Sequence, residues 1–359
     1  MKPTQAFRIV RLNAHLSPVS DFEAEQHRLH GLAPIQVEAN TPGEIIPHAK
    51  DCDALFVISS ALPTPVIESL ARCRVISRMG LGTDKIDIET ATARGILVTN
   101  VPNFCVEEQA DHTMALLLSL ARQIPAMSKA MRAGTFRSAH LATRKNQRLS
   151  TQTLGLVGFG NSAKATARRA RGFGMRILAT RRHILPADPE AEALGVQMVE
   201  LDTLLAQSDF VSLHLPLTKQ SYHLFDDATL RKMKPGAYLI NTSRGAIVDE
   251  AALVAALREG RLGGAGIDTF EGIDIFAVDE APPIHPLVLM DLDNVVLTPH
   301  VAAGSHQAGQ DVVRGAVENV AAVLSGRWPP LENVVNPEVV PRVPLIPSHE
   351  AKERQRWRG

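Results

Sequence analysis

The chain has 359 residues, 45% apolar and 21% charged, enough for two domains with ordinary buried cores. Lys plus Arg balance Asp plus Glu at 38 each, which lends nothing to nucleic-acid or membrane-surface binding. No apolar run is long enough to span a membrane, the start shows no apolar leader, and Cys52, Cys73 and Cys105 are sparse and unspaced, so a cytoplasmic protein with reduced thiols is expected.

Short apolar runs alternate with helix-like segments. The first series predicts strands at Phe7 to Leu12, Ala54 to Ile58, Val75 to Ser77 and Ile96 to Thr99, with helices at Pro63 to Ala71 and Asp87 to Arg94. A longer helix follows over Glu107 to Arg122, whose Ala110, Met114, Leu117, Leu118 and Ala121 recur at helical spacing and read as core. A second series predicts strands at Thr153 to Val157, Met175 to Ala179, Val196 to Val199, Phe210 to Leu213, Tyr238 to Asn241, Gly264 to Ile267 and Val295 to Leu297. Helices are expected between them, including Leu201 to Gln207, Asp226 to Met233 and Glu250 to Glu259. Strands this apolar are buried on both faces, which means parallel sheets covered by helices: an α/β fold. Gln307 to Leu324 reads as a last amphipathic helix, broken by Trp328-Pro329-Pro330, and the proline-rich, then charged, stretch beyond Asn336 reads as a mobile tail.

The most informative stretch is Leu154 to Asn161, an apolar strand running into the turn Gly158-Phe159-Gly160-Asn161-Ser162-Ala163 and then a helix. Side chains at Gly158 or Gly160 would keep the backbone from a pyrophosphate, whose charge meets free N–H groups at the helix start. Ala163 is the third small residue, allowing helix to pack on strand. A glycine turn between strand and helix is the context that supports dinucleotide binding.

Other residues with chemical potential sit where apolar strands end. Arg244, after Ile240-Asn241-Thr242-Ser243, can hold a carboxylate by two parallel hydrogen bonds. His300, after Leu297-Thr298-Pro299, is suited to moving a proton near neutral pH. Acids at Asp268, Glu271, Asp274, Asp279 and Glu280 could stabilise its imidazolium. In the first series, Ser77-Arg78-Met79-Gly80-Leu81-Gly82 is a second glycine turn whose N–H groups suit a small anion.

Together these segments resemble the D-2-hydroxyacid dehydrogenase family over roughly Ala54 to Arg327. The resemblance rests on Met79-Gly80-Leu81-Gly82-Thr83-Asp84, Asn100-Val101-Pro102, Val106-Glu107-Glu108-Gln109-Ala110-Asp111-His112, Gly158-Phe159-Gly160, His214-Leu215-Pro216-Leu217-Thr218, Asn241-Thr242-Ser243-Arg244-Gly245, Gly266-Ile267-Asp268 and Thr298-Pro299-His300. It implies an enzyme that passes hydride between a nicotinamide cofactor and a small 2-oxo or 2-hydroxy acid, with Arg244 and His300 in the catalytic Arg–Glu–His set. It implies that His214, Pro216, Thr242 and Asp268 lie along the cofactor, and that the backbone amides of Met79, Gly80 and Leu81 hold the substrate carboxylate. The implied architecture is two Rossmann-like or flavodoxin-like parallel-sheet domains with an active-site cleft between them. Residues 1–104 plus 304–335 would bind substrate and 105–303 the dinucleotide, leaving 336–359 as tail. The resemblance also implies a homodimer joined through the cofactor domains, with an arm at about Ile124 to Leu149.

The sequence departs from the family in three places. The catalytic Glu usually lies five residues past the Asp matched by Asp268, where this chain has Ile273; aligning backwards from His285 points to Glu280, then Asp279, then Glu271. The glycine turn continues Asn161-Ser162-Ala163 where Arg-Ile-Gly is common, so pyrophosphate binding is expected to use backbone amides and the Ser162 hydroxyl. The second cofactor-domain strand ends Ala179-Thr180-Arg181-Arg182, where an acid usually grips the ribose 2′-hydroxyl. A carboxylate repels a 2′-phosphate and arginine binds one, so NADP(H) is expected over NAD(H).

The loop Ile58-Ser59-Ser60-Ala61-Leu62 lacks the Arg of members acting on phosphorylated substrates, which points to an unphosphorylated acid such as glyoxylate, hydroxypyruvate or a branched 2-oxo acid. The alternative is a dinucleotide-sensing interaction protein like the C-terminal-binding corepressors, which share the fold. A formate dehydrogenase fits less well, since no Gln replaces the acid near Asp279. Tyr222 and Tyr238 are followed at Tyr-x-x-x-Lys spacing by Asp226 and Thr242, against a short-chain dehydrogenase, and His27 and His30 lack further ligands for a metal.

Overall fold

A computed structural model of the chain describes residues 7–185, 187–273 and 292–346. The elements run β1 (Ile9–Arg11), α1 (Asp21–Leu29), β2 (Ile35–Gln36), α2 (Pro42–Ala49), β3 (Ala54–Val57), α3 (Thr64–Ser69), β4 (Val75–Arg78), α4 (Ile88–Ala93), β5 (Leu97–Thr99), α5 (Val106–Ala121), α6 (Ile124–Arg132) and α7 (Phe136–Ala142). They continue β6 (Thr153–Val157), α8 (Asn161–Gly172), β7 (Arg176–Thr180), α9 (Pro189–Ala193), β8 (Val196–Met198), α10 (Leu201–Gln207), β9 (Phe210–Leu213), α11 (Asp227–Lys232), β10 (Tyr238–Asn241), α12 (Glu250–Arg258), β11 (Gly264–Ile267), β12 (Val295–Leu297) and α13 (His306–Leu324). The chain divides into two compact units, Met1–Phe104 with Ser305–Gly359, and Cys105–Gly304.

The first unit holds a five-stranded parallel sheet in the order β2-β1-β3-β4-β5. Alternate side chains feed two cores: Val10, Leu55 and Val57 point to one face, Ile9, Ala54 and Phe56 to the other. α13 covers the second face with Val313, Ala316, Val317 and Val320, and Ser77 Oγ donates to the Ala316 carbonyl at 3.2 Å. The stretch between Leu12 and Ala54, for which the sequence reading named no element, folds into α1, β2 and α2. Gly43 and Pro47 blur the helical pattern of α2, but a capping box between Thr41 and Glu44 starts it with Pro42 in the first turn, where proline is tolerated.

Residues 336–346 correct the expectation of a mobile tail, because they are fastened to the first unit. Asn336 is fully buried; its Oδ1 accepts from the Val98 amide at 2.8 Å, and its Nδ2 donates to Ile96 O and Thr92 Oγ1. Arg342 donates to the carbonyls of Arg94, Leu70 and Ala71. The open edge of β5 is thus satisfied by this carboxamide together with the backbone of residues 333–335, where Val335 N donates to Val98 O and Asn333 O accepts from Asn100 N, and composition gives no hint of such contacts.

The second unit holds a seven-stranded parallel sheet, β12-β11-β10-β9-β6-β7-β8. Leu156, Phe210 and Ile240 feed the core on one face, Val157, Val211 and Leu239 the core on the other. From β6 the chain steps outward to β7 and β8, then returns to β9 on the other side of β6. That reversal opens a crevice at the carboxyl ends of β6 and β9, where sheets of this kind bind ligands.

Candidate active site

At the β6 end of this crevice, Gly158 has φ +96° and its N–H donates to the Thr180 carbonyl at 3.0 Å. A Cβ there would sit 2.3 Å from the His214 carbonyl, so glycine is required by the neighbouring strand end itself. A Cβ at Gly160 would meet nothing within 4 Å. Gly160 caps α8 without a side-chain bond, so the twelve-residue helix presents its positive end to open space. This cradle fits a pyrophosphate. Asn161 is exposed and Ser162 half-buried beside it.

His214 braces the cradle. It is buried, its Nδ1 lies 3.1 Å from Ser162 Oγ, and its Nε2 lies 3.0 Å from Ser212 Oγ. Burial pulls its pKa down to about 4, so the ring is neutral and joins β9 to the first turn of α8 as one donor and one acceptor. The Ser162 hydroxyl, expected at the pyrophosphate, is here engaged by His214. Pro216 is exposed just beyond, its carbonyl accepting from Ser221 Oγ at 2.7 Å.

At the end of β7, Thr180 is buried and Arg181 turns back on its own loop. Its Nη2 lies 2.7 Å from Asp188 Oδ2 and its Nε donates to the His183 carbonyl. Arg182 is exposed and forms no ion pair with a described residue.

β10, β11 and β12 deliver the remaining groups to the same sheet edge. Beyond β10, Asn241 Nδ2 donates to Arg244 O and Ser243 Oγ to Leu213 O, fixing the turn that carries Arg244. Thr242 is held from α5: Gln109 Nε2 donates to its carbonyl at 3.0 Å, and its hydroxyl lies 3.1 Å from Thr113 Oγ1. Beyond β12, His300 has φ +54°, a left-handed conformation uncommon for a side-chain-bearing residue. Its N–H donates to Asp268 O at 2.8 Å.

Asp268, at the end of β11, is fully buried. Its carboxylate accepts from Thr298 Oγ1 at 2.6 Å and from the Val301 and Ala302 amides at 2.9 and 3.0 Å, and His112 Nε2 stands 3.5 Å away. Burial alone would raise its pKa, but the hydrogen bonds from His112, Thr298, Val301 and Ala302 outweigh it and hold the carboxyl below its ordinary value. Asp268 therefore shapes the loop bearing His300. In the sequence, Gln109 and His112 stand out only as members of the family-like run Val106 to His112, and Thr113 only as part of a helix; nothing in their spacing assigns them these partners.

Of the candidate acids, Asp274, Asp279 and Glu280 lie outside the described residues. Glu271 binds His223 Nε2 at 2.8 Å and Tyr222 at 3.2 Å. In the first unit, the Met79 amide donates to Val57 O and the Gly80 amide to Arg78 O. Of the three amides expected at a substrate carboxylate, this leaves Leu81, on a loop fixed by Asn100 Nδ2 donating to its carbonyl at 2.7 Å. No group of metal-ligating residues occurs among the described residues.

A glycine cradle at the sheet's reversal, with Arg244 and His300 following β10 and β12, the two strands that flank β11, defines a dinucleotide-dependent dehydrogenase. Residues 114–302 match the D-isomer specific 2-hydroxyacid dehydrogenase, NAD binding domain. A glyoxylate reductase of Korarchaeum cryptofilum is 43% identical over 301 residues, 82% of this chain and 86% of that protein. Another, from Thermococcus litoralis, is 39% identical over 308 residues, 84% and 89% of the two chains. Among solved structures, a glyoxylate reductase from Paecilomyes thermophila superposes with a TM-score of 0.80 at 28% identity, covering 92% of this chain and 99% of that one. A D-lactate dehydrogenase from Aquifex aeolicus, complexed with NAD and lactic acid, gives 0.80 at 27% identity, covering 91% and 99%. The chain belongs to the D-isomer specific 2-hydroxyacid dehydrogenase family. It is an oxidoreductase, an NAD(P)-linked 2-oxo acid reductase; these relatives do not favour the corepressor-like alternative.

Proposed function

We propose that the protein reduces glyoxylate or hydroxypyruvate with NADPH as the preferred reductant. The reading of substrate rests on the glyoxylate reductases it resembles and on the short, arginine-free loop at Ile58 to Leu62. Bound nicotinamide supplies the hydride. Arg244 takes the substrate carboxylate and polarises the 2-oxo group. His300 gives its proton to the oxygen as the alcohol forms, and Glu280 supports the imidazolium. Gly158, Gly160, Asn161 and the first turn of α8 carry the pyrophosphate. Thr180, Arg181, Arg182, His214, Pro216, Thr242 and Asp268 line or shape the rest of the cofactor site.

The single observation favouring NADPH is the pair Arg181–Arg182 at the end of β7, where an acid would repel a 2′-phosphate. Arg181 is committed to Asp188, so Arg182 is the guanidinium offered to the phosphate. Initial rates with a panel of 2-oxo acids, each run with NADPH and NADH, test both parts. Arg182→Gln is expected to raise the KM for NADPH by about 10-fold, the loss of one charge-assisted contact, and to leave NADH unchanged. A wild-type enzyme that uses NADH at least as well defeats the preference.

A cytoplasmic homodimer completes the reading. Ile124, Met131, Phe136 and Leu141 are exposed on α6 and α7, neither of which buries a residue, and such apolar surface suits a second copy. Light scattering on the purified protein distinguishes dimer from monomer.

A further inference from the structure

Gln109, His112, Thr113 and Leu116 share one face of α5, spaced as neighbouring turns require. Gln109 and Thr113 hold Thr242, and Leu116 lies under Gly266, where an added Cβ would approach its own to 3.0 Å. His112 reaches past β11 instead. Its Nε2 lies 2.9 Å from Thr298 Oγ1 and 3.5 Å from Asp268 Oδ1. The Thr298 hydroxyl has one proton and gives it to the ionised Asp268 at 2.6 Å. It can therefore only accept from His112, so Nε2 carries a hydrogen.

We infer that His112 is a positioning residue for proton transfer, acting on His300 through Thr298 and Asp268. The inference rests on His300 being the proton donor. His300 sits in a left-handed backbone conformation that is uncommon for a residue with a side chain and persists only when its surroundings hold it. Those surroundings are the bonds from His300 N to Asp268 O and from Val301 N and Ala302 N to the Asp268 carboxylate. Asp268 comes from β11 and Thr298 from β12. His112 is the link from a third element, and it fixes which way the Thr298 hydroxyl points. Without it, Thr298 faces one donor fewer, Asp268 loses the nearby imidazole, and the loop loses its tie to α5. The glycine cradle belongs to β6 and α8, so cofactor binding is not expected to change.

The test compares His112→Ala, His112→Gln, Thr298→Val and His300→Ala with wild type at 25 °C, reading kcat, the KM for glyoxylate and for NADPH, and Tm. Losing a link of about 1.4 kcal/mol lowers kcat about 10-fold in His112→Ala, with the KM for NADPH within about twofold. Gln carries an N–H near the same place and is expected to restore kcat to within about threefold of wild type. Thr298→Val cuts the link from the other side, and the double variant His112→Ala/Thr298→Val is expected to be no slower than the slower single. A merely structural role would lower Tm and leave kcat intact. Wild-type kcat in His112→Ala, or a Gln variant as slow as the Ala variant, overturns the inference. If His112→Ala does not fold, full activity in Thr298→Val overturns it equally. Wild-type turnover in His300→Ala removes the His300 reading and the inference with it; a slow His300→Ala beside a fast His112→Ala defeats the inference alone.

Discussion

Replacing Asp268 by Asn changes almost nothing in volume and removes one charge. The carboxylate accepts from Thr298 Oγ1 and the Val301 amide at Oδ1 and from the Ala302 amide at Oδ2. An Asn side chain can place its oxygen at only one of these positions. With oxygen at Oδ1, its NH₂ faces the Ala302 N–H, so one charge-assisted bond is lost, about 1.5–3 kcal/mol. The other two become neutral bonds of about half the strength, a further loss of about 1.5–3 kcal/mol in all. The loop that carries His300 is thus destabilised by about 3–6 kcal/mol. Site-resolved hydrogen exchange at pH 7 reads this directly: the Val301 and Ala302 amides are expected to exchange about 100-fold faster or more, with kcat falling in parallel. The sign with pH follows from the depressed pKa of Asp268. Its stabilisation is present above the ordinary carboxylate value of 3.8 and is lost as pH falls through the lower folded-state value, so variant and wild type converge in strong acid. Protection at Val301 and Ala302 that stays within threefold of wild type at pH 7 would refute the reasoning.

Glu250 carries the opposite sign. Burial raises its pKa to about 7, its bond from the Glu271 amide opposes that only in part, and the nearby Glu271 charge adds to it. The folded state therefore binds its proton more tightly, and stability falls as pH rises from about 4.5 to about 7, by about 3 kcal/mol. Glu250→Gln, which can still accept from the Glu271 amide, is expected to flatten that fall in urea unfolding between pH 5 and pH 8; an unchanged slope contradicts the assignment. Asn336→Ala leaves the buried Val98 N–H and Ile96 carbonyl without their partner, about 2–4 kcal/mol. Limited proteolysis is then expected to cut residues 336–346 in the variant and spare them in wild type.

Strand periodicity made the sheet of the second unit legible to the residue at β6, β9, β10, β11 and β12, because buried parallel strands are continuous apolar runs with sharp ends. The stretch from Leu12 to Ala54 was not legible: β2 is a two-residue exposed edge, and α2 contains Gly43 and Pro47. The docking of residues 336–346 depends on the Asn336 and Arg342 side chains reaching backbone groups more than 200 residues earlier in the chain, which no local pattern reports. Gly158, Arg244 and His300 could be picked out because their strands announce them. The partners that orient them could not: Ser162 with His214, Gln109 with Thr242, and His112 with Thr298 are 52, 133 and 186 residues apart. Glu271, the third acid reached by aligning backwards from His285, instead bonds to His223 and Tyr222, 48 and 49 residues earlier in the chain.

The account depends most on a guanidinium at the end of β10 taking the carboxylate of a 2-oxo acid. Arg244→Lys keeps the charge and removes the two-pronged geometry. With NADPH and glyoxylate, kcat/KM is expected to fall about 10- to 100-fold, matching about 1.4–2.7 kcal/mol, while NADPH affinity measured by fluorescence stays within twofold. A lysine variant with wild-type kcat/KM, or one whose whole loss lies in NADPH binding, would contradict it.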